Sequence, residues 1–126
     1  MSDKPESTEA GDFFSNVWEV VAGIPEGCVL SYGEVARRAG SPRRARMVGR
    51  AMARAPKRLE LPWHRVVNAQ GRISFPEGSR SARRQQELLE AEGVVFADGV
   101  IDLENHGPDQ AMDYLLWGPD KATGNS

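Results

Sequence analysis

The sequence is short of several things, and each shortage excludes a class of protein. It has one cysteine, Cys28, in 126 residues. An internal disulfide and a cysteine-built metal centre are therefore excluded. Two histidines, His64 and His106, are too few to hold a zinc ion by themselves. No apolar run approaches the ~18 residues of a membrane span. The first residues, MSDKPESTEAG, are polar and lack the apolar stretch of a secretory signal. The expectation is a single domain in the cytoplasm, nucleoid-associated if bacterial, with no membrane partner. Neither a metal nor a cofactor is expected.

Net charge is also small, at −2, but it is unevenly spread. Residues 1–36 carry Lys4 against seven acids, residues 37–84 carry 14 basic residues against Glu60 and Glu77, and residues 85–126 carry Lys121 against nine acids. A basic centre lies between two acidic flanks. That distribution fits a polyanion-facing surface. It equally fits a solvated arginine-rich face neutralised by its own flanks.

The order of elements follows from periodicity and punctuation. Residues 1–11 are expected to be disordered. From Asp12, Phe13, Phe14, Val17, Val20, Val21 and Ile24 recur at helical spacing until Pro25 and Gly27. Ser31-Tyr32-Gly33-Glu34 reads as a capping box opening a short helix to about Arg38. Gly40 marks a turn, and Ser41-Pro42 opens a second helix through Met52. Two short helices around a glycine turn read as a helix-turn-helix. Arg72-Ile73-Ser74 is expected to pair back on Val66-Val67 across a turn at 68–71. A last long helix, with Leu88 and Leu89 inward, ends at Gly93. A small hairpin follows around Asp98-Gly99. The domain is taken to span 12–106, with 107–126 a tail whose Tyr114-Leu115-Leu116-Trp117 docks on the core.

Arg43, Arg44, Arg46 and Arg50 crowd the second helix, where phosphates would meet it. Ala45 and Gly49 are small. They suit close approach to DNA, or close packing inside the protein. The segment Pro62-Trp63-His64-Arg65-Val66-Val67 sets Trp, His and Arg behind a proline turn. Its plainest reading is a buried Trp beside a hydrogen-bonded His.

Four separated segments resemble one family in order and spacing. They are residues 31–36 (SYGEVA), 45–49 (ARMVG), 62–67 (PWHRVV) and 88–93 (LLEAEG). Together they are similar to the DNA-binding C-terminal domain of O6-alkylguanine-DNA alkyltransferases, from about Phe14 to Leu103. The resemblance implies a small α+β domain of winged-helix type. Active members carry a cysteine where Trp63 stands, and an indole has no thiolate to accept an alkyl group. The Pro-Trp-His-Arg form resembles the alkyltransferase-like proteins. These bind O6-alkylguanine in duplex DNA, do not repair it, and flag it for nucleotide excision repair proteins such as UvrA.

By the same resemblance, Tyr32 crowds the phosphate of the target nucleotide and Arg46 fills the space of the extruded base. Arg43, Arg44, Ala45, Gly49 and Arg50 complete the DNA-binding face. Trp63 walls a lesion pocket with Tyr32, Val66, Ile73, Ser74 and Arg80. His64 and Glu92 are the remnant of the relay that activates the cysteine, kept for structure. Ala55-Pro56 stands where active members carry Asn-Pro. The protein is expected to be a monomer. The rival readings are an alkyltransferase that uses Cys28, and a sequence-specific helix-turn-helix regulator.

Overall fold

A computed structural model describes residues 8–107. Helix α1 spans Thr8–Ala22. It begins ahead of Asp12, so residues 8–11 are helical rather than disordered. An apolar stripe marks only the buried part of a helix, and this first turn is polar. Residues 1–7 and the Tyr114–Trp117 stretch lie outside the described residues.

Strand β1 is Leu30–Ser31, and it leads directly into α2, Tyr32–Arg38. Ser31 caps α2 as expected, its Oγ accepting from the Glu34 N–H at 3.0 Å. The reciprocal half of the box is replaced. Glu34 turns its carboxylate to Arg37 and Arg38 instead of back to the cap. Those bonds hold the Glu34 carboxyl below its ordinary pKa, against the opposing effect of burial. Gly40 takes the left-handed turn at φ 95°. Ser41 makes no side-chain cap. Residues Pro42–Arg44 form a 3-10 turn, and helix α3 follows over Ala45–Ala53.

Buried residues from α1, α2 and α3 close the main core. Phe13, Val17, Val21, Val35, Val48 and Ala51 all lie in it. Two polar bonds fix the helices to each other. Trp18 Nε1 donates to the Ala51 carbonyl at 2.7 Å, and Asn16 Nδ2 donates to the Ala39 carbonyl at 3.2 Å. Both acceptors are carbonyls at helix ends, and the Ala51 carbonyl also takes the Arg54 N–H at 3.2 Å.

Strand β2, Val66–Val67, does not pair with residues 72–74. It pairs in parallel with β1, Leu30 opposite Val66 and Ser31 opposite Val67. Both β2 residues are buried, and a distant apolar strand competes better for them than the exposed, arginine-led segment that follows the turn. The 72–74 segment keeps two bonds to the turn, from the Asn68 N–H to the Arg72 carbonyl and from the Arg72 N–H to Asn68 Oδ1, each at 2.9 Å.

Helix α4 spans Arg80–Ala91 with Ser79 as its cap, and Gly93 at φ 91° ends it. The N–H of Val94 returns to the Leu89 carbonyl at 3.0 Å and that of Gly93 to Glu90 at 2.9 Å. This is a Schellman ending, and Val94 packs beside Leu89 in the second core cluster. Strands β3, Phe96–Ala97, and β4, Val100–Ile101, form the expected hairpin. Asp98 and Gly99 both have positive φ, the requirement of its tight turn. Helix α5, Leu103–His106, closes the described chain.

Candidate nucleic-acid interface and base-binding cleft

Helix α3 has two faces. Val48 and Ala51 are buried, whereas Arg46, Gly49, Arg50 and Ala53 are exposed. The exposed four fall at i, i+3, i+4 and i+7, which is one side of a helix. A Cβ added at Gly49 would meet nothing within 4 Å. Glycine there serves no packing inside the domain, among the described residues. Ala45 differs: it is half-buried against the main core. Arg44 differs too. Its guanidinium lies over the Phe13 ring, 5.7 Å from the centroid, which turns it toward α1. Arg43 is exposed at the 3-10 turn.

A cleft of about 1140 Å³ runs beside this face, with Gly49, Met52 and Ala53 of α3 in its wall. Trp63 lies in it on a 3-10 turn, Trp63–Arg65, between Leu61 and Val66. Pro62 fixes the entry to that turn, and the Arg65 N–H closes it on the Pro62 carbonyl at 3.0 Å.

What holds the turn in place comes from α4. The Gln85 side chain is buried, and its Nε2 donates to the carbonyls of His64, at 2.9 Å, and Val66, at 3.0 Å. Its Oε1 has no partner among the described residues. Glu92, at the end of α4, receives His64 Nε2 at 2.7 Å, Arg65 Nη2 at 2.7 Å and the Gly27 N–H at 2.9 Å. Arg65 continues to the Ile24 carbonyl at 2.7 Å. Burial alone would raise the Glu92 pKa. The bonds from Arg65, Gly27 and His64, with the Arg65 charge, outweigh it and lower the value to about 2. The carboxylate stays ionised and ties together α4, the Trp63 turn and the segment after α1. The Gly27 carbonyl in turn faces His106 Nδ1 at 2.9 Å, and His106 Nε2 accepts from the Val95 N–H at 3.3 Å.

Of the residues assigned to the pocket from sequence, Tyr32, Trp63 and Val66 line the cleft. Ile73, Ser74 and Arg80 do not. Ser74 reaches it through Tyr32, whose hydroxyl is 2.8 Å from Ser74 Oγ. Arg80 is exposed at the first position of α4, and Arg84, one turn on, lines the cleft in its place. Leu88 also lines the cleft and is half-buried, whereas Leu89 is fully buried in the core. Two adjacent residues on a helix face about 100° apart, so both could not point inward alike. Sequence reasoning missed Leu61, Phe75 and Lys57 as lining residues. An aromatic in a polar loop, as Phe75 is, was the available signal. Cys28 is half-buried against the main core and is absent from the cleft lining.

An arginine-bearing helix-turn-helix with an open cleft at its side defines a DNA-binding domain of α+β class. Residues 12–94 match the family described as "6-O-methylguanine DNA methyltransferase, DNA binding domain", and the chain belongs to that family. It is 50% identical over 103 residues to a DNA base-flipping protein of Escherichia coli (strain K12), covering 80% of this chain and 78% of that one. It is 45% identical over 83 residues to alkyltransferase-like protein 1 of Schizosaccharomyces pombe, covering 66% and 77%. Its fold superposes with a TM-score of 0.69 and 37% identity on S. pombe Atl1 in complex with damaged DNA containing O6-carboxymethylguanine, covering 78% of this chain and 95% of that one.

Proposed function

We propose that this protein binds duplex DNA at O6-alkylated guanines, draws the modified base into the cleft beside Trp63, and transfers no alkyl group. The observation that carries this reading is the composition of the cleft. Trp63 occupies it next to the intact His64–Glu92 pair, and no cysteine lines it among the described residues. Alkyl transfer needs a nucleophile within reach of the alkyl carbon, and the indole is none. A flat indole is instead a stacking wall for a base taken from the duplex.

The exposed face of α3 carries the DNA. Arg46 enters the stack and substitutes for the extruded base, while Arg43 and Arg50 neutralise phosphates. Gly49 lets the helix backbone come close. Tyr32, at the start of α2, stands where α2 meets the cleft and crowds the nucleotide being rotated out. The bound lesion, held without repair, is a signal for nucleotide excision repair proteins, and the protein acts as a monomer in the cytoplasm or on the nucleoid.

The deciding experiment compares two 5′-labelled duplexes that differ only in guanine versus O6-methylguanine, with a label also on the methyl group. Tighter binding to the modified duplex with no label on protein is the expected result. Label on the protein would establish an alkyltransferase acting through another residue. Equal binding, with preference for one undamaged sequence, would establish a regulator.

A further inference from the structure

His106 lies beyond residues 12–94, the stretch that matches the family, and it does not line the cleft. Its ring faces two stretches of backbone. Nε2 accepts from the Val95 N–H at 3.3 Å, so the ring proton sits on Nδ1, which donates to the Gly27 carbonyl at 2.9 Å. The His106 carbonyl accepts from the Val29 N–H at 2.8 Å. Its own N–H donates to the carbonyl of Asp102, the cap of α5, at 3.0 Å. One residue therefore grips residues 27–29 at both ends.

That grip reaches the cleft by two routes. The Gly27 N–H donates to Glu92, and Glu92 holds His64 and Arg65 of the Trp63 turn. Gly27 has φ 84°, and a Cβ there would stand 3.4 Å from the Glu92 carbonyl. A glycine has no side chain to restrict it, so its orientation depends on what binds its carbonyl. The second route runs through Val29, which leads directly into β1. Strand β1 pairs with β2, the strand after the Trp63 turn, and delivers Tyr32. Helix α3, with Arg46 and Arg50, packs in the main core instead.

We propose that His106 is a positioning residue for base recognition. By holding Gly27 it fixes Glu92, and through Glu92 the indole of Trp63. This rests on the base-extrusion reading above. Loss of the His106 ring bonds frees Gly27 to turn, and Glu92 then loses a donor. The cost falls on discrimination between modified and unmodified guanine, which needs the Trp63 turn in place. Affinity for duplex DNA as such is carried by α3 and stays.

The test measures affinities of the full chain for one duplex carrying guanine or O6-methylguanine, at a temperature where every variant is folded. His106→Phe keeps a flat ring without either bond. It is expected to lower the modified-to-unmodified affinity ratio about tenfold while changing guanine-duplex affinity less than about twofold. His106→Leu serves the same purpose if His106→Phe melts early. His106→Gln carries a donor and an acceptor on one amide and is expected to restore most of the ratio. Acrylamide quenching of Trp63, in a Trp18→Phe, Trp117→Phe background, is expected to rise in His106→Phe and return in His106→Gln. An unchanged ratio, equal loss on both duplexes, or no recovery in His106→Gln overturns the proposal. Wild type binding the two duplexes alike overturns the base-extrusion reading itself.

Discussion

His64 Nε2 lies 2.7 Å from Glu92 Oε2, and the same carboxylate holds Arg65 Nη2 at 2.7 Å. The neighbouring residue is Trp63, whose indole offers the pair no acidic proton to move. Glu92 receives bonds from two segments that are remote in sequence, at Gly27 and at His64-Arg65. His64 and Glu92 are explained by what they hold together, which is the turn that presents the indole.

Glu92 makes stability acid-sensitive. Its folded pKa of about 2 lies below the ordinary 4.5, so its contribution is complete above the unfolded value and is lost as pH falls from about 4.5 through about 2. A depression of this size corresponds to at most about 3 kcal/mol. Urea unfolding at pH 7, 4 and 3 should show a fall that Glu92→Gln largely removes. An identical pH slope in the variant would contradict the assignment.

Gln85→Ala should destabilise the domain by about 1–3 kcal/mol, because two carbonyls of the Trp63 turn lose their donor and a void opens in the buried site. Trp63 fluorescence should shift with it. A Trp18→Phe, Trp117→Phe background isolates that signal.

Gly49 separates stability from binding. Since a Cβ there meets nothing within 4 Å, Gly49→Ala should raise stability by up to about 1 kcal/mol through helix propensity. Gly49→Leu should leave the melting temperature near wild type yet weaken DNA binding severely, as the side chain would stand between helix and duplex. Undiminished affinity in the leucine variant would mean that α3 does not dock closely.

Arg46→Ala and Tyr32→Ala should each lose lesion preference without unfolding, read by titration of modified and unmodified duplexes. 2-Aminopurine fluorescence beside the lesion reports extrusion, and it should fall in both. Arg50→Ala should weaken binding to modified and unmodified duplexes alike and reduce the slope of log affinity against log salt by about one. Arg44→Ala should change that slope little, because its guanidinium is turned onto Phe13.

Much was legible from residues near one another in sequence. The Ser31 cap, the Gly40 turn, the Gly93 helix end and the Asp98-Gly99 hairpin all form from local chemistry, and all are present. The second face of the capping box failed because Glu34 had two arginines within reach on its own helix, and charged partners outbid a neutral N–H. The 72–74 hairpin failed because β2 found β1, a pairing across 36 residues that no local rule predicts.

The basic centre was read correctly as a sum and incompletely as a surface. Arg37 and Arg38 pair with Glu34, Arg44 covers Phe13, and Arg65 is tied to Glu92. Arg46 and Arg50 share the open face with Gly49. A composition count cannot separate these roles, since it is blind to the direction in which each side chain leaves its helix.

The sequence by itself determined the family, the helix-turn-helix and the indole at Trp63, because those depend on residue identity and short-range order. Only the tertiary structure decided which residues wall the cleft. It admitted Phe75, Arg84 and Leu88, and it left out Ile73, Ser74 and Arg80. The reason is geometric: a cleft is made where α3, the Trp63 turn and α4 converge, and that convergence depends on β1 pairing with β2 and on the buried bonds of Gln85 and Glu92.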